Sequence, residues 1–423
     1  RYFTKKSDQQ RSTFLDVSKI PSQQPRSQTL FTDSSKINEY ESRCSKGDLQ
    51  AILEYAPCLL FGTNGVQTDE SKAARFFKIG SEKHDKESTF WYAFCLLNGY
   101  GVKTDFPKAV SLFKESSEKG KLESFLYLYH CYQQGKGVQK DEKEALSYLK
   151  TAADKGLPIA ITQYGLCLND EDPQKYEYLK KAADQGEING QFHYGVCLLK
   201  GNKILKADKG KGFFYLIKAA ESGLSSAQNY VGDVFNQGII GPKDEGMAVH
   251  YYELSAAQND ADGNYKLAHI YMNDDKKQGE YARYLKKAAD LGNVDAMFEY
   301  GEMIYLGRIT SPKDKKEAAK YIKMAADNGI ENAMILIALL AETGTGFDKK
   351  ELKIADKYYK MAADQFKSIR ACKTYMRFLN KNRRFIDANK YMVLAGKAGD
   401  AECLYGSALY HYVNKNRTEC EKC

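Results

Sequence analysis

One feature constrains this chain more than any other: it repeats. The segment Ala152-Ala153-Asp154-Lys155-Gly156 returns as Ala182-Ala183-Asp184-Gln185-Gly186, Ala219-Ala220-Glu221-Ser222-Gly223, Ala288-Ala289-Asp290-Leu291-Gly292 and Ala325-Ala326-Asp327-Asn328-Gly329. Weaker copies begin at Ala256, Ala362 and Ala395, degenerate ones at Gly80 and Ser116, and a remnant at Arg43. Most starts lie 36 or 37 residues apart, and three intervals shorten to 30, 32 and 33. A length of 423 residues would by itself suggest two or three domains. The period replaces that estimate with one tandem array, in which each unit buries its apolar face against its neighbours.

Each unit reads as two helices. Between Asp295 and Gly329, the residues Ala296, Tyr300, Gly301, Met303 and Ile304 recur at three- and four-residue steps, as one buried helical face requires. A break from Gly307 to Pro312 follows. A second helix carries Ala318, Ala319, Tyr321, Ile322, Ala325 and Ala326 and stops at Asn328-Gly329, where glycine suits a left-handed C′ position. The paired alanines predict a close helix crossing. Between the helices stand Gly99-Tyr100-Gly101-Val102 before Asp105, Gly135-Lys136-Gly137-Val138 before Asp141, Gly344-Thr345-Gly346-Phe347 before Asp348, and a looser Gly62 to Asp69. Glycine permits the reversal, and the Asp is placed to cap the second helix.

These residues carry a resemblance. The period, the Tyr-Gly or Val-Gly pair of the first helix (Tyr164-Gly165, Tyr194-Gly195, Val231-Gly232, Tyr300-Gly301, Tyr405-Gly406), the Gly-x-Gly-Val-x-x-Asp turn and the Lys-Ala-Ala-Asp-x-Gly ending resemble Sel-1-like repeats, relatives of the tetratricopeptide repeat. The resemblance spans about residues 40 to 413 and implies an all-α fold: a right-handed α/α superhelical solenoid of about ten helix-turn-helix repeats. The links at Asn169 to Pro173 and at Asn273 to Lys277 depart from the pattern, having lost the Gly-x-Gly turn. Residues 1–38 lack the period, are rich in Ser, Thr, Gln and Lys, and read as a disordered arm; 39–413 form the array and 414–423 a C-terminal tail.

The net charge of +8 arises from 63 basic and 55 acidic residues interspersed along the chain, without the clustering that a nucleic-acid binder shows. No apolar run reaches the roughly 18 residues of a membrane span. Cys58, Cys95, Cys131, Cys167 and Cys197 share a slot four residues before the inter-helix Gly (or Glu171 in its place), which later units fill with Val234, Ile270, Met303 and Leu340. The slot wants a medium apolar side chain, so these read as reduced core thiols in a reducing, cytoplasmic compartment. Some secreted members of the resembled family carry two stapled cysteines per unit; here there is one. Cys420-Glu421-Lys422-Cys423 supplies half of a tetrahedral metal set with no second half nearby, and reads as a frayed end or the start of a truncated zinc module. The six histidines make no ligand spacing, and no nucleophile or phosphate-loop motif occurs. No catalytic residue, metal or cofactor is expected.

What remains is a surface. In the first helix, the positions 11, 7, 4 and 3 before the inter-helix Gly form the core, and those 12, 8, 5 and 1 before it share a second stripe. The resemblance implies that first helices line the concave face, so this stripe faces the groove. Its minus-eight slot holds Glu54, Trp91, Tyr127, Gln163, His193, Tyr230, Lys266, Glu299 and Leu336. Its minus-five slot holds Pro57, Phe94, His130, Leu166, Val196, Asp233, His269, Glu302 and Leu339. Trp91, Phe94, Tyr127, His130, His193 and Tyr230 are aromatic where a solvated face would be charged, and serve either a bound partner or packing between repeats. The expected function is a non-catalytic scaffold or adaptor holding a protein or peptide in the groove. The alternatives are the regulatory or targeting region of a larger enzyme, such as a kinase, and a secreted, cysteine-stapled relative.

Overall fold

The computed structural model describes residues 31, 33–308 and 314–420, and all regular structure among them is helical. The chain divides into two compact units, 1–208 and 209–423. Unit 1 opens on a single helix, α1 (Ser34–Ser45). Pairs follow: α2 (Leu49–Phe61) with α3 (Glu70–Glu82), α4 (Lys86–Asn98) with α5 (Phe106–Glu118), α6 (Glu123–Gln134) with α7 (Glu142–Asp154), and α8 (Pro158–Cys167) with α9 (Pro173–Asp184), then α10 (Ile188–Lys200). Unit 2 starts with α11 (Lys209–Glu221). It continues with α12 (Ser225–Gln237) and α13 (Glu245–Ala257), α14 (Ala261–Tyr271) and α15 (Gln278–Asp290), α16 (Val294–Tyr305) and α17 (Lys315–Asp327), α18 (Glu331–Thr343) and α19 (Leu352–Phe366), and α20 (Ile369–Lys381) and α21 (Phe385–Lys397). A last helix, α22 (Ala401–Cys420), ends it. This is the expected all-α solenoid of about ten repeats.

The slot assignment holds inside each unit. Ala51, Tyr55, Cys58 and Leu59 of α2 are buried, as are Ser88, Tyr92, Cys95 and Leu96 of α4, Ala296, Tyr300, Met303 and Ile304 of α16, and Ala333, Ile337, Leu340 and Ala341 of α18. The paired alanines of the second helices are buried, except Ala257 of the weaker copy at Ala256, which is exposed. The Asp that follows each pair has a role beyond helix termination. Tyr178 Oη donates to Asp154 at 2.7 Å, Tyr358 to Asp327 at 2.5 Å and Tyr391 to Asp364 at 2.9 Å, and Tyr321 bonds Asp290 in the same way. Each strut ties one second helix to the second helix of the next repeat. Burial first, and the facing carboxylate second, raise the Tyr358 and Tyr391 phenols, which therefore stay protonated donors.

The Gly-x-Gly turn is a joint between repeats. A Cβ on Gly101 would lie 2.1 Å from the backbone oxygen of Glu70, one on Gly137 2.4 Å from the Phe106 backbone and one on Gly346 2.2 Å from the Lys315 oxygen. Each of these contacts is the start of the preceding repeat's second helix. The turn thus seats itself on its neighbour's backbone, and any side chain would lift it off. By contrast Gly156, Gly186, Gly223 and Gly292 have nothing within 4 Å of where a Cβ would stand and are required only by φ values of +81 to +102°.

Asp69, Asp105 and Asp141 cap their second helices, accepting from Lys72 N, Lys108 N and Lys143 N at 2.9, 3.1 and 2.9 Å. Asp348 does not: it falls too few residues after Gly344 to reach the cap, which Glu351 occupies, and pairs instead with Lys316 at 2.8 Å. Residues 31 and 34–38, assigned by the sequence to the arm, belong to the packed structure: Phe31 is buried against Tyr40 and Tyr55 (ring centroids 5.0 Å from each) and α1 begins at Ser34. Residues 1–30 lie outside the described residues. At the other end the backbone stays helical to Cys420 rather than forming a tail from 414. Tyr405-Gly406 is not the first-helix pair. Asp400 accepts from Cys403 N at 2.8 Å as Asn293 does from Ala296 N, so the buried tyrosine slot falls on Ser407 (7% exposed) and Tyr405 points outward at 73%. Cys423 and the Cys420 side chain lie outside the described residues.

Candidate partner-binding surface

The stripe is built from a recurring contact: the minus-five residue of one first helix meets the minus-eight residue of the next. In unit 1 the contact is aromatic. Phe94 and Tyr127 are buried with ring centroids 5.9 Å apart, and Tyr127 also stacks on Phe113 at 4.9 Å. Trp91 is half-buried, stacked on Phe77 at 5.8 Å and edge-on to Phe61, Phe90 and Phe94. Phe61, in the minus-one slot, stays 42% exposed beside it. Of the six aromatic candidates, the structure buries Phe94, Tyr127 and His130 in packing and leaves Trp91, His193 and Tyr230 half-exposed. Tyr230 belongs to unit 2.

The aromatic run ends at His130, whose Nε2 is buried without a hydrogen-bond partner, as is Oε1 of the half-buried Gln163. These two residues hold the minus-five and minus-eight slots of neighbouring repeats. Burial pushes the His130 imidazole down to about 4, with Lys136 adding to the effect, and burial followed by Lys175 does the same to His193. Both rings are neutral near pH 7.

Beside Gln163 opens a recess of about 340 Å³, lined by Tyr129, Gln133, Glu142, Ala145, Leu146, Gln163, Leu166 and Cys167. Its origin is the lost turn. In neighbouring repeats a Gly-x-Gly joint covers the start of the preceding second helix; the link between α8 and α9 has none, so the start of α7 is bare and Leu146 is 40% exposed. The shortened link is held by its own bonds: Tyr176 Oη donates to Asp170 O at 2.7 Å, and Lys175 Nζ bonds Asp170 Oδ1 at 2.6 Å. Cys167 follows the same logic. Cys58, Cys95 and Cys131 are buried, with burial raising Cys95 to about 12 and Cys131 to about 11, whereas Cys167 is exposed at the mouth of the recess. The sequence reading missed the recess, although the missing glycines at 169–173 were its signal.

In unit 2 the same contact joins polar and charged groups. Lys266 Nζ lies 2.7 Å from Asp233 Oδ1, which also accepts from Tyr252 Oη at 2.7 Å. His269 Nε2 lies 3.2 Å from Glu299 Oε2, and Tyr265 Oη donates to Glu299 Oε1 at 2.7 Å. Against its burial, these two neighbours hold the Glu299 carboxyl below the usual range. Among the described residues no group of three His, Cys, Asp or Glu side chains is placed to hold a metal ion, and no helix is long and apolar enough to cross a membrane.

A family model for the Sel1 repeat matches residues 49–85, 86–121, 130–157, 176–187, 188–224, 225–260, 261–293, 294–330 and 332–365. The chain belongs to the Sel1 repeat family. The family model leaves 122–129 and 158–175 unmatched, and these stretches supply Tyr129, Gln163, Leu166 and Cys167 to the recess. Among solved structures, c5321, a protective antigen of uropathogenic Escherichia coli with the same repeat fold, superposes with a TM-score of 0.53 at 22% identity, over 88% of this chain and 85% of that one. A Sel1 repeat protein from Oxalobacter formigenes gives 0.40 at 21% identity over 79% and 87% of the two chains. The immunity protein Pa5087 of Pseudomonas aeruginosa gives 0.35 at 18% over 50% and 82%. No curated protein sequence matches the chain. The Sel1 repeat solenoid is generally a non-catalytic protein-interaction fold, and c5321 shows the fold alone.

Proposed function

We propose that this Sel1 repeat array is a non-catalytic scaffold that holds a protein or peptide partner along the first helices of unit 1. One observation carries the reading: the recess between α6, α7 and α8 includes the stripe residues Gln163 and Leu166, offers apolar walls at Leu146 and Leu166, and is bordered by Gln163, whose Oε1 has no hydrogen bond. A partner's apolar side chain fills the recess while a backbone N–H satisfies Gln163, whose orphaned oxygen otherwise costs free energy. Trp91 and Phe61 provide a second, aromatic anchor, and buried Phe94 and Tyr127 hold Trp91 in place. His193 extends the surface within unit 1, and Tyr230 marks the equivalent row of unit 2. The single buried cysteines suit a reducing, cytoplasmic setting.

Affinity capture with the full chain beside Leu146→Asp and Gln163→Leu variants tests this. Both positions are accessible enough to change without unfolding the array, which circular dichroism checks. A partner retained by the wild type and absent from both variants supports the reading. The same partner recovered at full yield by both variants moves the binding surface elsewhere.

A further inference from the structure

Within unit 2 the contact between neighbouring first helices lapses after Glu299. The register of α20 follows from its cap. Ser368 Oγ accepts from Ala371 N at 3.1 Å as Asn293 does from Ala296 N, and Ala371, Tyr375, Phe378 and Leu379 are buried in the core slots. The minus-five slots of α16, α18 and α20 therefore hold Glu302, Leu339 and Arg377. The minus-eight slots that follow hold Leu336 after Glu302 and Thr374 after Leu339, so neither meets its own kind. The Thr374 hydroxyl is already given to Arg370 O at 2.7 Å. The slot itself stands open here, with Leu339 42% exposed and Arg377 exposed.

Charge sorts by helix across this row. The stripe of α16 is acidic at Asp295 and Glu302, that of α20 is basic at Arg370, Arg377 and Lys381, and that of α18 is uncharged around Leu339. Part of the charge is engaged: Lys381 Nζ bonds Glu342 Oε1 at 2.5 Å, and Arg370 Nη1 bonds the neutral Asn332 Oδ1 at 2.9 Å. Among the described residues, Glu302 and Arg377 have no ion-pair partner. They do not serve each other either. Packed helices lie about 8–10 Å apart, so two helix widths separate these charges by about twice the Debye length of physiological salt, about 8 Å. What complements such a row is a ligand carrying the opposite signs in the same order.

We propose that α16, α18 and α20 together bind an extended, polyproline II segment bearing an acidic, an apolar and a basic side chain at three-residue steps. The acid pairs with Arg377, the apolar side chain covers Leu339, and the base pairs with Glu302. The step follows from geometry. Polyproline II has three residues per turn, so side chains three apart share one side at intervals of about 9 Å, the helix spacing. On an α-helix the same residues would stand about 5 Å apart and miss it. The segment comes from another protein, because residues 1–30, 309–313 and 414–423 contain no such triplet in either direction. A second copy is not the occupant. The row is complementary to itself under a two-fold axis, but first helices line the inner side of a stacked array, where a single extended chain enters and an equally recessed row does not. The site shares no residue with the recess of unit 1, so the two readings stand or fall independently.

The probe is the fluorescein-labelled peptide Pro-Glu-Pro-Ala-Leu-Pro-Ala-Lys-Pro, titrated with the full chain and followed by anisotropy. Its control is the isomer Pro-Ala-Glu-Lys-Leu-Pro-Ala-Pro-Pro, with the two charges side by side. Saturable binding is expected, about tenfold weaker for the isomer and about tenfold weaker in Arg377→Glu. Replacing the peptide's Glu by Lys should restore binding to Arg377→Glu. That variant alters an exposed position, and an unchanged circular dichroism melt confirms the fold. No saturable binding, equal binding of the isomer, or indifference to Arg377→Glu overturns the proposal. Binding lost in Leu146→Asp but kept in Arg377→Glu would put the peptide in the recess of unit 1 and likewise overturn it. So would sedimentation showing self-association that Leu339→Asp abolishes, which would make a second copy the occupant.

Discussion

The two units solve one packing problem with opposite chemistry. Where the minus-five residue of a first helix meets the minus-eight residue of the next, unit 1 places Phe94 against Tyr127 and unit 2 places Asp233 against Lys266 and His269 against Glu299. The spacing fixed by the repeat accepts either, because both solutions fill the gap between neighbouring helices. They differ in what they leave for others. Unit 2 also keeps buried polar atoms without a hydrogen bond, among them Asn229 Oδ1, Asn264 Oδ1 and, at the joint itself, Glu299 Oε2. The aromatic run of unit 1 ends in His130 and Gln163, two buried polar groups with an unmet hydrogen bond, at a place where a lost turn has opened a recess. The aromatic joint of unit 1 is thus distinguished by the lost turn beside it, not by unmet polar atoms.

The largest effect that would break this comparison is expected from Tyr127→Ala. Removing a ring that is 3% exposed costs about 3–4 kcal/mol, read as faster amide exchange in α4, α5 and α6 with no change in unit 2. Equal loosening of both units would mean that the joint is not local. Acidification comes next. The His130 and His193 pKa values lie near 4 when folded against an ordinary 6.5, so the unfolded chain binds more protons between these limits. Unit 1 keeps its full contribution from these rings above pH 6.5 and loses it as the pH falls, by about 2 kcal/mol per histidine at pH 5. Glu299, held below its ordinary 4.5, keeps its contribution above that pH and loses it only below. Exchange measured at pH 5 should thus accelerate in unit 1 first, and His130→Gln should flatten part of that slope. Acceleration confined to unit 2 would contradict the assignment. The smallest effect is Lys266→Ala, where a partly exposed pair is worth about 0.5–1 kcal/mol and weakens in high salt. A salt-independent loss of several times that size would show that Lys266 acts through packing over the Tyr252 ring, 5.7 Å away, rather than through its charge.

Much of this was legible in the residues. Periodicity gave the helix pairs, and the core slots followed because apolar spacing and burial share one cause. Three things were not. The Tyr–Asp struts pair residues from consecutive repeats, so neither side chain announces its partner within a unit. Whether Phe94 and Tyr127 serve a partner or packing stayed open because the stripe was drawn on one helix, and only the crossing of two helices decides which slot is covered. Tyr405-Gly406 copied the signature two residues out of step; the side-chain cap at Asp400 sets the register instead. The recess had a sequence signal, the missing glycines at 169–173, whose meaning required knowing that Gly101 and Gly137 sit on the preceding helix.

Maleimide labelling of Cys167 tests the central claim most directly, because this thiol is exposed at the mouth of the recess while Cys58, Cys95 and Cys131 are buried. Peptides selected from a random display library on the full chain serve as the probe. The account predicts that selected peptides slow Cys167 alkylation and shift Trp91 fluorescence, with both effects lost in Leu146→Asp. Peptides that bind the chain yet leave the Cys167 rate and the Trp91 signal unchanged would contradict it.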